Sequence, residues 1–205
     1  MRTTALAALV SILAGYALAS LARAFFVDAG TAVALEVEGL VDGSELIVEG
    51  RVLSATGVLL ENGIVATDYE VRVERDFLGG SAEQIAVRIP GGILPDGSGM
   101  LLPGMPALAP GERAIVFLTE EDPRGLRMPV GLGQGRLRVL DGPGGQHWLE
   151  RDASRLALVG PDGDLQHPDE RSLLDYAGMV AEIEAAVAGK RAREAAAAAA
   201  GGRDR

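Results

Sequence analysis

Two histidines are the side chains of this sequence best suited to acid–base or metal chemistry. His147 and His167 are separated by 20 positions and lack the H-x-x-x-H spacing of helical zinc sites. His147 could instead act as a general base near pH 7, together with Asp141 or Glu150. We therefore predict no metal, no cofactor and no defined catalytic residue, and we keep a hydrolase centred on His147 as an alternative.

A glycine-rich segment at residues 131–135 has the composition of a phosphate-binding loop but not its context. Such loops open a helix, whose N-terminus receives the phosphates. Here GLGQG is followed by the strand-like run Arg136–Leu140, and its third glycine comes one residue too early. We interpret these glycines as a place where a strand bends or another backbone approaches closely.

The segment Pro90–Gly111 is the strongest candidate for a binding surface. It is dense in glycine and proline, and a loop of this length in a compact domain is usually functional or else poorly ordered. Leu101, Leu102 and Met105 are its candidate partner-binding side chains, because exposed apolar groups mark recognition sites. The alternative is that these side chains cover an open end of the domain's core.

The elements that must position these residues are mainly β. Glu45–Ala55 and Ile64–Leu78 alternate between two faces, and Glu61-Asn62-Gly63 between them is typical of a type I′ hairpin turn. Gln84–Ile89 continues the alternation, and the nearly unbroken apolar run Arg113–Thr119 is typical of a central strand. We predict about five to six strands joined mostly by hairpins, in a small barrel or sandwich.

The last part of the sequence is helical. Pro168-Asp169-Glu170 is typical of a helix start, and large apolar residues then recur at three- and four-residue spacings. These residues are Leu173, Leu174, Met179, Val180, Ile183 and Val187. We predict a C-terminal amphipathic helix within residues 161–188. Residues 189–205 are predicted to be an Ala-rich tail, flexible or helical, because their alanine run has no large side chain to bury.

The first 24 residues have the pattern of a secretory signal peptide. Arg2 precedes the uncharged run Thr3–Leu21, and Ala22-Arg23-Ala24 matches an A-x-A cleavage site. We predict a signal-peptide helix over residues 1–24 that is cleaved during export. The mature protein, with a β domain over residues 25–160, is then periplasmic or secreted. The alternative is an uncleaved anchor in the inner membrane, since 19 uncharged residues could just span a bilayer. The run is poor in large apolar residues, so we expect no stable membrane insertion once the signal is cleaved.

Composition excludes several classes of function. The 205 residues include no cysteine, which excludes a disulfide scaffold, a thiolate metal site and thiol catalysis. The formal net charge is −10 and Lys190 is the only lysine, which argues against nucleic acid as a partner. We predict an envelope or secreted protein as the partner.

Six motifs, taken in order, resemble a group of uncharacterised exported bacterial proteins. They are Leu46–Val52, Tyr69–Glu74, Pro90-Gly91-Gly92, Pro103–Pro106, Gly111–Leu118 and Val130–Arg136, and the resemblance covers roughly residues 35–140. Gln134 and Arg136, from the last motif, complete the candidate partner-binding residues.

The same layout is similar, more distantly, to the netrin-like module of tissue inhibitors of metalloproteinases. That resemblance implies an antiparallel OB-like β-barrel with the C-terminal helix packed on or beside it. The inhibitors chelate the protease zinc through an N-terminal cysteine, and this chain has no cysteine, so their mechanism does not carry over. The predicted function is an exported, non-enzymatic binding module. A hydrolase and an inhibitor-like partner of a secreted metalloprotease are the alternatives.

Overall fold

The computed structural model describes residues 30–80, 82–166 and 171–201. The expected signal peptide (residues 1–24), His167 and the expected helix start at residues 168–170 lie outside these ranges. The elements in chain order are β1 (Gly30–Val33), α1 (Val37–Asp42), β2 (Leu46–Leu59), β3 (Val65–Leu78), β4 (Gln84–Pro90), β5 (Gly92–Ile93), β6 (Gly99–Met100), β7 (Arg113–Leu118), β8 (Arg136–Asp141), β9 (His147–Arg151), β10 (Leu156–Val159), β11 (Leu165–Gln166), β12 (Ser172–Asp175) and α2 (Tyr176–Gly201).

A seven-stranded antiparallel sheet carries the fold. Its strand order is β12-β9-β8-β7-β2-β3-β4, so β12 and β4 form its two edges. A separate sheet contains β1, β10 and β11, with β1 parallel to β10, and a two-stranded ribbon contains β5 and β6. The prediction of a mainly β protein with a C-terminal helix is confirmed.

The expected closed barrel is wrong, because the large sheet is open and its central strands are buried on both faces. Ile115 and Phe117 of β7 belong to a core cluster beneath α1 and α2, whereas Val116 and Leu118 belong to a second cluster on the opposite face. Loop residue Leu108 packs into that second cluster. The two helices cover one face of the sheet, and the loop that contains Leu108 covers part of the other face. The central strands are therefore buried although the sheet does not close into a barrel.

The hairpin of β2 and β3 projects from this sheet. Each strand has 14 residues, but β7 pairs only with residues 46–51 of β2, so residues 52–59 extend beyond it. At the tip, Asn62 Oδ1 accepts the N–H of Ile64 at 3.1 Å and Gly63 has a φ of +80°. The predicted hairpin is confirmed, and β2 is four residues longer than its predicted end at Ala55. The predicted type I′ turn is wrong, because that turn needs a positive φ at both central residues, and Leu132 is the one non-glycine residue with a positive φ in the described ranges.

The C-terminal helix begins later than the sequence pattern predicts. Leu173 and Leu174 lie in the edge strand β12, where Leu174 pairs with Leu149 of β9. The helix then starts at Tyr176, and the Asp175 carboxylate accepts the N–H of Gly178 at 2.6 Å. The helix predicted through Leu173 and Leu174 is therefore wrong for these residues, because the edge of the sheet offers backbone partners that helical periodicity cannot reveal.

The same helix remains docked beyond the predicted end of its apolar face. It continues to Gly201. Of the two states predicted for the Ala-rich tail, flexible or helical, residues 189–201 therefore adopt the helical one. Lys190 is buried, and its Nζ donates hydrogen bonds to the carbonyls of Val41 and Asp42, at 3.4 and 3.3 Å, and of Ser44. These carbonyls lie at the end of α1, so Lys190 fastens α2 to the shorter helix.

Candidate functional site

A cleft of about 370 Å³ lies between the projecting hairpin and the loop that follows β4. We call it the loop cleft; it is lined by Ala55, Gly57, Thr67, Tyr69, residues 90–93 and 100–107, and Arg155. Leu101, Leu102 and Met105 all contribute to it, as does Ile93. Leu101 is 86% exposed and Ile93 is 65% exposed, while Leu102 and Met105 are half-buried. Three of the five predicted partner-binding residues are thus brought together.

Small residues allow the loop to lie directly on the hairpin. A Cβ atom at Gly57 would lie 2.0 Å from the carbonyl oxygen of Ile93, and a Cβ at Gly92 would lie 2.0 Å from Thr67 Oγ1. Gly92 also has a φ of +134°, which favours glycine. The Thr67 hydroxyl donates a hydrogen bond of 2.8 Å to the carbonyl of Gly91. Backbone contacts, rather than long side chains, therefore fix this wall of the cleft.

Arg155 is the one charged residue in the lining of the loop cleft. It also lines a neighbouring depression of about 210 Å³, which contains Arg136 and Asp152. Arg136 donates from Nε to Glu112 Oε1 at 2.8 Å, and Asp152 pairs with Arg171 at 3.1 Å. Within the described ranges Arg155 itself forms no ion pair, so its guanidinium is available to an incoming group.

Asp152, the acidic neighbour of Arg155, already has hydrogen-bond and ion-pair partners other than Arg155. Burial raises the pKa of Asp152, but two hydrogen bonds from Ser154 and the charge of Arg171 outweigh burial and leave that pKa below its ordinary value. The Ser154 hydroxyl donates to Asp152 Oδ1 at 2.6 Å. Asp152 is therefore an ionised carboxylate held by groups other than Arg155.

Gln134 lies in the interior rather than at the loop cleft. Its Oε1 accepts the N–H of Leu35 at 2.9 Å, and its Nε2 donates to the carbonyls of Val33 and Gly131 at 2.9 and 3.1 Å. These bonds tie the N-terminal strand to the 3₁₀ turn Leu132–Gly135, which leads into β8. The bent strand interpreted from the sequence is wrong, because residues 132–135 form a 3₁₀ turn and the strand begins at Arg136. The close approach of another backbone is present, since a Cβ atom at Gly133 would lie 2.9 Å from the carbonyl oxygen of Asp152. Gln134 has no free group for a partner, and Arg136 is engaged by Glu112.

A second polar cluster lies where the large sheet meets the start of α2. Glu49 is fully buried, and its Oε1 lies 2.6 Å from Arg113 Nη2 in an ion pair without hydrogen-bond alignment. Its Oε2 accepts a hydrogen bond of 2.8 Å from the Tyr176 hydroxyl. The other side of Arg113 contacts Glu74, with Nε and Oε2 2.7 Å apart. Burial, and then the bond to Glu49, raise the pKa of Tyr176, so the phenol stays a donor.

His147 lies beside this cluster. Its Nδ1 is 2.9 Å from Asp141 Oδ1, again without hydrogen-bond alignment, and its ring meets the Tyr176 ring edge-on at 5.4 Å. Glu150 lies on the opposite face of β9 and approaches Arg171 at 3.7 Å. Of the two acidic partners predicted for His147, the structure brings only Asp141 to it. No group of three or more His, Asp or Glu residues in the described ranges is arranged to hold a metal.

The sequence reasoning did not single out Glu49, Arg113 or Tyr176. One signal was available: Glu49 interrupts the apolar run Leu46–Val48 in a strand that pairs on both sides. A carboxylate on a central strand must be buried on whichever face it occupies, and a buried carboxylate needs a paired cation.

No protein-family model, curated protein or solved structure matches the chain. Among the residues that the structure describes, no helix combines the length and apolar character required to cross a bilayer.

Proposed function

We propose that this protein is an exported, non-enzymatic binding module that docks an envelope or secreted protein at the loop cleft. One observation carries the proposal. Among the described residues, the two most exposed large apolar side chains are Leu101 and Ile93, and both line the same cleft. Apolar groups exposed together at a concave surface are typical of protein recognition sites.

The architecture of the cleft supports docking to a largely preformed surface. The hairpin strands and close backbone contacts at Gly57 and Gly92 support one wall. The half-buried side chains of Leu102 and Met105 form part of the floor, and Met105 packs against the second core cluster. A rigid wall lowers the conformational entropy lost when a partner binds.

Removing the exposed apolar side chains is expected to abolish capture of the partner while leaving the fold intact. In the double variant Ile93→Ser/Leu101→Ser, recovery of the partner from envelope and secreted fractions should fall about tenfold or more, because each side chain contributes apolar burial to the complex. Recovery is measured by affinity capture and quantitative mass spectrometry. An amine-reactive cross-linker is unsuitable, because the only lysine is the buried Lys190.

The matched control is Leu165→Ser/Leu173→Ser, which removes side chains that are 57% and 62% exposed and do not line the cleft. This variant should retain full capture. Equal losses in both double variants would contradict the proposal, as would full capture by Ile93→Ser/Leu101→Ser. Capture of a secreted metalloprotease would favour the inhibitor-like form of the proposal.

A hydrolase centred on His147 is the second candidate, and the 2.9 Å approach of His147 to Asp141 favours it. Imidazole beside a carboxylate is the arrangement of a general base. A screen for hydrolysis should then reveal an activity that His147→Ala abolishes and Glu150→Gln retains. An activity unaffected by His147→Ala would eliminate this candidate.

A further inference from the structure

We infer that the occupant of the loop cleft is an extended, mainly apolar segment of the partner protein that carries one acidic side chain for Arg155. This inference rests on the proposed function and specifies the chemistry of the partner. It follows from the shape of the cleft, the charges around it and the position of Arg155.

The exposed rim favours an extended polypeptide. Leu101 and Ile93 remain largely open to solvent, so whatever contacts them keeps one side in water. An extended chain meets this requirement, because successive side chains point to opposite sides and only alternate ones need be apolar. The floor, with its half-buried leucine and methionine, accepts those apolar side chains. Methionine suits such a floor, because it adapts to different partners.

Arg155 is the reason that we expect an acidic side chain in the partner's segment. It is the one charged residue of the cleft lining, and it has no ion-pair partner among the described residues. A guanidinium next to an apolar surface binds a carboxylate through charge-assisted hydrogen bonds. Its neighbours cannot supply that carboxylate, since Asp152 pairs with Arg171 and Glu112 with Arg136.

The position of Arg155 favours an internal acidic side chain over a chain terminus. Arg155 lines both the loop cleft and the adjoining depression of about 210 Å³, so space continues on both sides of it. A segment that fills the cleft can therefore run past the guanidinium. The number of acidic groups is limited by the net charge of −10, because a run of carboxylates would be repelled by the protein as a whole.

A phage-displayed library of random ten-residue peptides, panned on the immobilised protein, tests this inference. We expect enriched peptides with alternating apolar residues and a single Asp or Glu. Affinities of the best peptide and its Glu→Gln (or Asp→Asn) version are then measured by fluorescence polarisation with the native protein and with Arg155→Gln. Each change alone should weaken binding roughly fivefold, and the two together no more than either alone.

The control is Arg138→Gln, which removes an exposed arginine that does not line the cleft and should leave affinity unchanged. Enrichment of basic peptides, or effects of the two changes that simply add, would overturn the inference. Peptides that bind independently of Arg155 but not to Ile93→Ser/Leu101→Ser would refute the acidic contact and leave the proposed function standing. Peptides that bind that double variant normally would refute both. Enrichment of no peptide would refute the segment chemistry, and the capture experiment would then decide the proposed function alone.

Discussion

Replacement of Arg113 by methionine is expected to lower the free energy of unfolding by about 3 kcal/mol. Glu49 has no exposed surface, and Arg113 is its cationic partner at 2.6 Å. The variant leaves the carboxylate with the Tyr176 hydroxyl as its donor. A buried charge without its counter-ion costs far more than the intact pair contributes, so removal of the cation should dominate over the lost side-chain packing. Urea unfolding followed by circular dichroism measures the loss.

Glu49 is buried whereas Arg113 is partly exposed, and this difference provides a control. Glu49→Gln should cost less than Arg113→Met, because Arg113 is partly exposed and keeps its contact with Glu74. The double variant Glu49→Leu/Arg113→Met should recover much of the stability lost in Arg113→Met, since no uncompensated charge remains. A loss in Arg113→Met below about 0.5 kcal/mol, which is typical of a surface substitution, would show that the pair is solvated rather than buried.

Replacement of Lys190 by methionine is expected to cost about 2 kcal/mol. The methionine fills nearly the same space but donates nothing to the carbonyls of Val41, Asp42 and Ser44 at the end of α1. The carbonyl of Val41 keeps the N–H of Ser44 as a donor and Asp42 is exposed, so the largest cost falls on the buried carbonyl of Ser44. A buried acceptor that loses its donor carries the full cost of desolvation. The loss should appear in urea unfolding and in faster hydrogen exchange of α1, because the contact joins the two helices.

An exposed arginine on the same helix provides the comparison. Arg193 also reaches α1, through Glu38 at 3.3 Å and Asp42, but its side chain is half-exposed. Arg193→Gln should cost less than about 1 kcal/mol, because surface ion pairs contribute little. If the two substitutions destabilised the protein equally, the burial of Lys190 would not be what fastens α2.

Local patterns in the sequence predicted the projecting hairpin and the central strand. The Asn62-Gly63 turn, the strict alternation through Tyr69 and Val71 and the unbroken run of β7 each depend on near neighbours in the chain. These local patterns hold in the folded protein, because the place of a turn and the alternation of side chains are set by residues two or three positions apart. The N-terminal portion of the sheet could therefore be predicted closely.

Features that depend on distant contacts could not be predicted in this way. Leu173 and Leu174 match the spacing of an apolar helix face, yet they pair with the edge of β9 and form a strand. The choice between a closed barrel and an open sheet depended on which surfaces the helices and the loop would cover. Local propensity is commonly overridden when a tertiary partner offers a complete set of backbone hydrogen bonds.

In the candidate site, too, some residues could be predicted from the local sequence and others only from distant contacts. Loop composition was enough to select Leu101, Leu102 and Met105, because exposed apolar side chains in a Gly/Pro-rich segment are conspicuous. Arg155 is 48 positions beyond the last loop residue of the cleft, Ala107, and reaches it only through the folded chain. Gln134 was selected from a motif, but its bonds to β1 became visible only in three dimensions.

Site-specific photo-cross-linking tests the docking of a partner at the loop cleft most directly. A photoreactive phenylalanine analogue is placed at position 101 in one variant and at position 173 in another, and cells producing each are irradiated. The account predicts one adduct of defined mass from position 101 and none from position 173, although both native leucines are exposed. Absence of an adduct at position 101, or the same adducts from both positions, would contradict it.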